Sequence, residues 1–331
     1  MDLNLLEKSI LATITYYDTM DYPLTGFEVF KYLINPKHIA SFSKLDLNSE
    51  IEPLKTINLI DVLRTLNNSN LQRYIDEKNG FYFLKGKSNL YEIRIERQKI
   101  SDKIWQKSRK ILKWLQIIPY IRAVLMNGSV AMHNAGEKSD IDLLIVTKNK
   151  RIWITRFLTT MLFQIIRRRR HGNKIKNRFC LNHYIANNFL KSSLLNLYVA
   201  HLYAHLVPVL EIEKGIYNRF QFENRWIGNY LYFYNIEKLD NQKKIKNSGI
   251  MKIFRKFQEV ILDTFLGGIL EKILGFFQKK RIKNHPLINQ KDGRIVFDDN
   301  QLEFHPNSQG IKILDKYEKR ILELNIRNKS T

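Results

Sequence analysis

Cysteine is almost missing from this chain. Cys180 is the only one in 331 residues, which excludes an intramolecular disulfide and a cysteine-rich zinc site and fits a reducing, cytoplasmic setting; packing in a core is its expected role. Acids are scarce too, with 32 Asp and Glu against 55 Lys and Arg and a formal charge of +23. Long apolar runs are lacking. The greasiest segments, 152–166 and 265–270, fall short of the ~20 apolar residues a spanning helix needs, and the first is interrupted by Arg156 and Gln164. The N-terminus shows no basic stretch followed by an apolar one, so no secretory signal is expected. Internal repeats and low-complexity tracts are not evident.

What is present is a globular composition. A hydrophobic content of 44% over this length can fill substantial cores and suggests two or three domains. The positive excess has two readings. It attracts polyanions such as RNA, DNA or an anionic lipid surface, and it also follows from the Lys-, Asn- and Ile-rich usage of an A+T-rich coding sequence.

Along residues 1–90, apolar positions Leu3, Leu6, Ile10, Ile14 and Tyr17 recur at helical spacing, a break at 21–25 precedes a second helix over 26–34, and a third is expected over 56–66. Asn79-Gly80 marks a hairpin within 74–83. Three helices and a hairpin read as a winged helix. Lys55 and Arg64 stand against Asp61, Asp76 and Glu77, acids that repel phosphate, so a protein-contact or packing module is favoured over DNA binding. A long helix over 91–115, with Arg94 among the charges of its wet face, then leads into the second region.

The chemistry gathers in 121–146. A buried strand over 121–126 ends at Asn127-Gly128-Ser129, and ten residues later Asp140-Ile141-Asp142 heads the apolar run 143–146. Two carboxylates separated by one strand residue share a face about 6 to 7 Å apart, close enough to share hard cations. Mg²⁺ prefers oxygen ligands and completes its shell with water and substrate phosphates. Gly128 admits close backbone approach, Ser129 offers a hydroxyl to a phosphate, and Gly136 with Ser139 turns the chain into the second strand.

These residues resemble the DNA polymerase β-like nucleotidyltransferase superfamily, whose hallmark is a Gly-Ser turn, about ten residues, and an Asp-x-Asp on the next strand; residues 126–146 match it. The resemblance implies an α+β fold: a mixed nucleotidyltransferase sheet flanked by helices, an N-terminal winged-helix-like domain (1–90), the nucleotidyltransferase domain (91–210) and a mostly helical C-terminal region (211–331). It implies two Mg²⁺ ions on Asp140 and Asp142, with Gly128, Ser129 and Ser139 cradling an NTP. The implied reaction is in-line attack of a hydroxyl of RNA, protein or a small molecule on the α-phosphate, breaking its bond to the β-phosphate so that pyrophosphate leaves. Residues 15–34, Phe179-Cys180-Leu181-Asn182 and Phe304-His305-Pro306-Asn307 further resemble a group of uncharacterised bacterial and archaeal nucleotidyltransferase-domain proteins. Members of the superfamily carry a third carboxylate on a neighbouring strand. Here the strand expected over 178–185 has no acid, Asn182 or His183 falls in that neighbourhood, and Glu211 and Glu213 are the first acids beyond it. The competing expectation is therefore a catalytically degenerate domain that binds nucleotide or nucleic acid as a regulatory module.

The densest basic cluster, Arg167, Arg168, Arg169, Arg170, Lys174, Lys176 and Arg178, lies between the two strands and either lines the cleft to contact nucleic acid or stays a solvated loop. His201 and His205, one helical turn apart, read as packing rather than a zinc pair. Phe257, Ile261, Phe265, Ile269 and Ile273 recur at helical spacing and are expected to face a core rather than to form a lipid-binding stripe. A hairpin turning at Asp292-Gly293 and a final helix over 310–324 close the chain.

Overall fold

Helix starts along the first ninety residues are set by reciprocal caps. Helix α1 (Leu5–Asp18) opens on a capping box in which Asn4 accepts from the Glu7 N–H while Glu7 accepts from the Asn4 N–H. Thr25 with Glu28 and Asn58 with Asp61 do the same for α2 (Gly26–Lys31) and α4 (Leu59–Leu66); α3 (Pro36–Ala40) lies between them. This computed structural model describes residues 3–41, 56–234, 244–289, 293–306 and 308–326. Lys55, Asp292 and Asn307 fall outside them.

Strand β1 (Leu24–Thr25) pairs with β3 (Phe81–Leu84), which pairs with β2 (Ile75–Lys78). The β2–β3 turn is Asn79-Gly80, both at positive φ, the tight geometry whose twist matches its strands. Helix α5 (Leu90–Leu112) follows. Its Arg94 is not on the wet face: the side chain is buried, pairs with Glu28 at 2.7 Å and stacks over Tyr22.

The main body is α+β, built on a six-stranded mixed sheet in the order β7-β4-β5-β6-β9-β8. Its members are β4 (Ile121–Asn127), β5 (Ile141–Thr147), β6 (Phe179–Ala186), β7 (Val207–Glu211), β8 (Arg294–Phe297) and β9 (Gln301–His305). Only β5 and β6 run parallel, joined through α7 (Ile152–Ile165); the other pairings are antiparallel. Side chains alternate across this sheet. Val124, Met126, Leu143 and Ile145 face a core with Trp105, Trp153 and Phe163. Ala123, Leu125, Leu144 and Val146 face another with Val199, Tyr203 and Phe220, from α8 (Leu197–Ala204) and α9 (Ile216–Glu223). Burial on both faces explains why these strands read as continuous apolar runs.

The chain beyond residue 211 returns to both earlier regions. Its β8–β9 hairpin extends the sheet beside β6 and turns at 298–300. Helices α10 (Gly249–Leu262) and α11 (Phe265–Lys283) flank α7 and the approach to β4, and α12 (Gln309–Glu323) packs on α1. His201 and His205 serve packing: the Tyr17 hydroxyl lies 3.0 Å from His201 Nδ1 and 2.7 Å from His205 Nε2, and burial pushes His201 down to about 3.

One ion cluster ties chain ends together. Asp18, buried at the end of α1, meets Lys87 at 2.7 Å and also Arg320 of α12. Replacing a buried carboxylate strands its cations. Asp18→Ala should lower the urea-unfolding free energy by about 2 to 3 kcal/mol, less than for a fully buried pair because Lys87 and Arg320 keep solvent contact; equilibrium denaturation followed by circular dichroism measures it.

Candidate metal and nucleotide site

Strand pairing brings the two motif halves together. Asn127, the last residue of β4, sits opposite Asp142 of β5, so the Gly-Ser turn begins beside the second aspartate. Gly128 has φ +69, and a Cβ there would collide with Asp142 Oδ2. Both the backbone conformation and the close approach demand glycine. From Gly128 the chain makes a single helical turn, α6 (Gly128–Ala131), and then doubles back, with the Asn134 N–H donating to the Ser129 carbonyl at 2.8 Å. The Gly136–Ser139 turn is closed by the Ser139 N–H to the Gly136 carbonyl (3.1 Å) and by the Gly136 N–H to Ser139 Oγ (3.0 Å). Ser139 Oγ lies 3.4 Å from Ser129 Oγ. Gly128, Ser129, Ser139, Asp140 and Asp142 thus meet at one end of the sheet.

The third member of this group is Cys180. Across the parallel ladder Asp142 pairs with Cys180 of β6, and one ligand atom each from Asp140, Asp142 and Cys180 lie within 4.8 Å of one another. Among the described residues this is the one cluster of three His, Cys, Asp or Glu with metal-ligand spacing. Cys180 is buried, as expected, but against two carboxylates. The expectation that Asn182 or His183 would stand here is corrected. Glu211 is excluded as well: it pairs with Ala123, four residues back along β4 from Asn127 or roughly 13 Å away, and is held by Lys244.

Charge at the site is set by burial and by two arginines, Arg170 and Arg294. Burial, then the neighbouring Asp140, pushes the Asp142 carboxyl up to about 7, although its side chain keeps some solvent contact. Burial, then Asp142 and Asp140, pushes the Cys180 thiol well above its ordinary range, so it keeps its proton. Arg170 Nη1 sits 2.5 Å from Asp140 Oδ2 and 3.9 Å from Cys180 Sγ. The backbone holds it there, with the Arg170 N–H donating to the Phe179 carbonyl (3.0 Å) and the Phe179 N–H to the Arg168 carbonyl (2.8 Å). The rest of the basic cluster does not converge on the aspartates. Arg178 folds back on the Arg167 carbonyl, Lys176 meets Glu137 at 3.6 Å, and Arg167, Arg168 and Lys174 are exposed.

Further polar residues share the sheet. Glu303 of β9 lies 2.9 Å from His183 Nε2 and pairs with Arg294 of β8; burial opposes its ionisation, yet His183 and Arg294 hold it down at about 2. Sequence reading missed Arg294 and Glu303 because they arrive from more than a hundred residues downstream; the only local signal is a charged residue inside each short apolar strand. A cavity of about 370 Å³, between the N-terminal helices and the sheet, is lined by Tyr22, Glu28, Tyr32, Arg94 and His205 and by residues 131–133 just after the Gly-Ser turn, but not by Gly128, Ser129, Ser139, Asp140 or Asp142.

The donor set fits a hard cation in part. Two adjacent carboxylates suit Mg²⁺, whereas a protonated thiol does not. No protein-family model, curated protein or solved structure matches this chain.

A pH signature follows from Asp142. A carboxyl raised from 3.8 to about 7 binds its proton more tightly folded than unfolded, so its contribution is fully present below pH 4 and is lost as pH rises through 7. Asp142→Asn removes that dependence. The stability of the variant relative to the parent should therefore climb between pH 4 and pH 7 and then level off, as thermal melts across that range would register.

Proposed function

We propose that this protein is a nucleotidyltransferase of the polymerase β-like type, moving a nucleoside monophosphate from an NTP to a hydroxyl of RNA, protein or a small molecule with Mg²⁺. One observation carries the reading: the Gly128 turn lies directly against the Asp142 carboxylate, with Asp140 and both serines alongside. In this reading 121–186 is the family's nucleotide-binding sheet, and the N-terminal helices with the β1-β3-β2 sheet are a winged-helix-like module. That module acts by packing: its core is continuous with Leu197 of α8 and Tyr317 of α12.

Asp140 and Asp142 would hold the ions, which when bound neutralise charge developing on the triphosphate. The chain's own residues do the positioning. Gly128 leaves room beside Asp142, and Ser129 and Ser139 present hydroxyls at the turn. Arg170, with its side chain 41% exposed, offsets the repulsion between the two carboxylates; once cations take that role it is free to contact a phosphate. No carboxylate occupies the third position, so the acceptor's proton leaves to solvent or to substrate.

A second reading, a nucleotide-binding regulatory module without transfer, is favoured by Cys180 in that third position and by Arg170 on Asp140. Incubation with Mg²⁺, each α-labelled NTP, RNA and cell extract separates the two. Transfer that falls by about a hundredfold or more in Asp140→Ala/Asp142→Ala supports the enzyme. Under that reading Cys180→Asp, which supplies a third carboxylate, raises transfer. Mg²⁺-dependent nucleotide binding with no transfer by any of the three proteins supports the module, and neither binding nor transfer defeats both.

A further inference from the structure

Helices α10 and α11 are inside out. The polar face of α10 is the one that touches the protein. Arg255 donates to the Gln116 carbonyl (3.1 Å), Gln258 donates to the Ile117 carbonyl (2.8 Å), and Glu259 accepts from the Tyr120 N–H (2.7 Å) and meets Arg122 at 2.9 Å. Its opposite face carries Ile250, Ile253, Phe257, Val260 and Ile261 in water, with Ile250 82% and Val260 72% exposed. Helix α11 repeats the arrangement. Inward lie Glu271, accepting from the Trp153 and Ile154 N–H groups (2.8 and 2.9 Å), and Gly275, whose missing side chain admits the Trp153 ring. Outward lie Ile269, Ile273, Phe276 and Phe277, and the first turn of α11, beside the bend between the helices, presents Phe265 (82% exposed) and Leu266 (73%). The expectation that Phe257, Ile261, Phe265, Ile269 and Ile273 pack in a core is therefore overturned. Nor can the helices simply roll over, because their polar faces are fastened to β4, to α7 and to the turns before them. An apolar surface of this extent is costly in water and marks a contact site.

Charge identifies the occupant. Residues 249–283 hold eight Lys and Arg and only three acids, and all three acids are engaged with the protein: Glu259 and Glu271 as above, Asp263 with Lys148 at 2.8 Å. Lys252, Lys256, Lys272, Lys280, Arg281 and Lys283 are exposed around the apolar face. A second copy would bring the same cations against these and be repelled. A nucleic acid would take the cations but leave phenylalanine and isoleucine in water. An anionic bilayer surface accepts both, with phosphates for the lysines and the acyl boundary for the apolar side chains. No described helix is long and apolar enough to cross a membrane, so the hairpin lies in the interface. We infer that the α10–α11 hairpin docks this protein on an anionic lipid bilayer, with Phe265 and Leu266 at the inserted tip. This inference stands independently of the nucleotidyltransferase reading.

Flotation of the full chain with phosphatidylcholine vesicles, with and without phosphatidylglycerol, tests it. The protein should float with the anionic vesicles and much less with the neutral ones. Phe265→Ser/Leu266→Ser keeps every charge and should weaken that binding roughly tenfold or more. Ile253→Ser/Phe257→Ser on α10 is an independent second variant, and unchanged circular dichroism and melting of either variant separate lost docking from lost folding. Lys272→Gln/Lys280→Gln should weaken binding to anionic vesicles while leaving the apolar tip intact. Failure to bind anionic vesicles, or binding indifferent to both serine variants and therefore due to net charge alone, overturns the proposal. So does a dimer, seen by sedimentation, that the serine variants dissociate in a protein that does not float.

Discussion

The site depends on strand register more than on any single contact. Asn127, Asp142 and Cys180 stand side by side across β4, β5 and β6, and a slip of one residue in either pairing would turn a carboxylate or the thiol to the opposite face. Such a slip is opposed by the two apolar cores. Leu143 and Ile145 are committed to one and Leu144 and Val146 to the other, so shifting β5 would exchange every side chain between differently shaped cavities. Gly128 adds a local lock, because a side chain at its φ is strained and a Cβ there would collide with Asp142 Oδ2.

That register creates an electrostatic problem that nearby residues answer. Two carboxylates at one strand end repel, and burial aggravates this for Asp142, whose carboxyl rises to about 7. A third acid opposite Asp142 would deepen the repulsion. The position instead holds a thiol that keeps its proton, and the guanidinium of Arg170 pairs with Asp140. Cys180 and Arg170 are thus two parts of one arrangement. The backbone bonds between 168–170 and Phe179 place the guanidinium where β6 begins, next to the residue whose side chain carries no charge.

Features governed by neighbours in sequence were legible. The Asn79-Gly80 hairpin, the turn around Gly136 and Ser139, and the convergence of Gly128-Ser129 with Asp140 and Asp142 follow from short-range geometry, and each is present. Cys180 was misread because counting along β6 does not reveal its partner. A register irregularity in the β5–β6 ladder pairs Leu144 with His183 rather than with Asn182, so simple alternation from one end of the strand misassigns the other. Glu303 and Arg294 reach the sheet through a hairpin far downstream, which no local pattern announces. Arg94 and the α10–α11 stripe fail for a common reason. Periodicity shows that a helix has two unlike faces, but which face meets the protein is decided by the surface waiting for it. For α10 that surface offers the Gln116 and Ile117 carbonyls and the Tyr120 N–H, groups only a polar face can satisfy.

Helix α7 connects the inverted hairpin to the acidic site. Its first N–H groups, at Trp153 and Ile154, are satisfied by Glu271, and Gln278 links the Trp153 carbonyl to Arg156, so α11 grips the start of α7 through two side chains. The far end of α7 runs into Arg167–Arg170, whose last guanidinium rests on Asp140. A 14-residue helix spans about 21 Å, so each of its ends needs its own fastening. Here both are fastened: by buried carboxylate bonds at one end, and at the other by the backbone bridge from 168–170 to β6. Helix α7 is thus held by α11 at its start and continues into the segment that β6 holds beside Asp140.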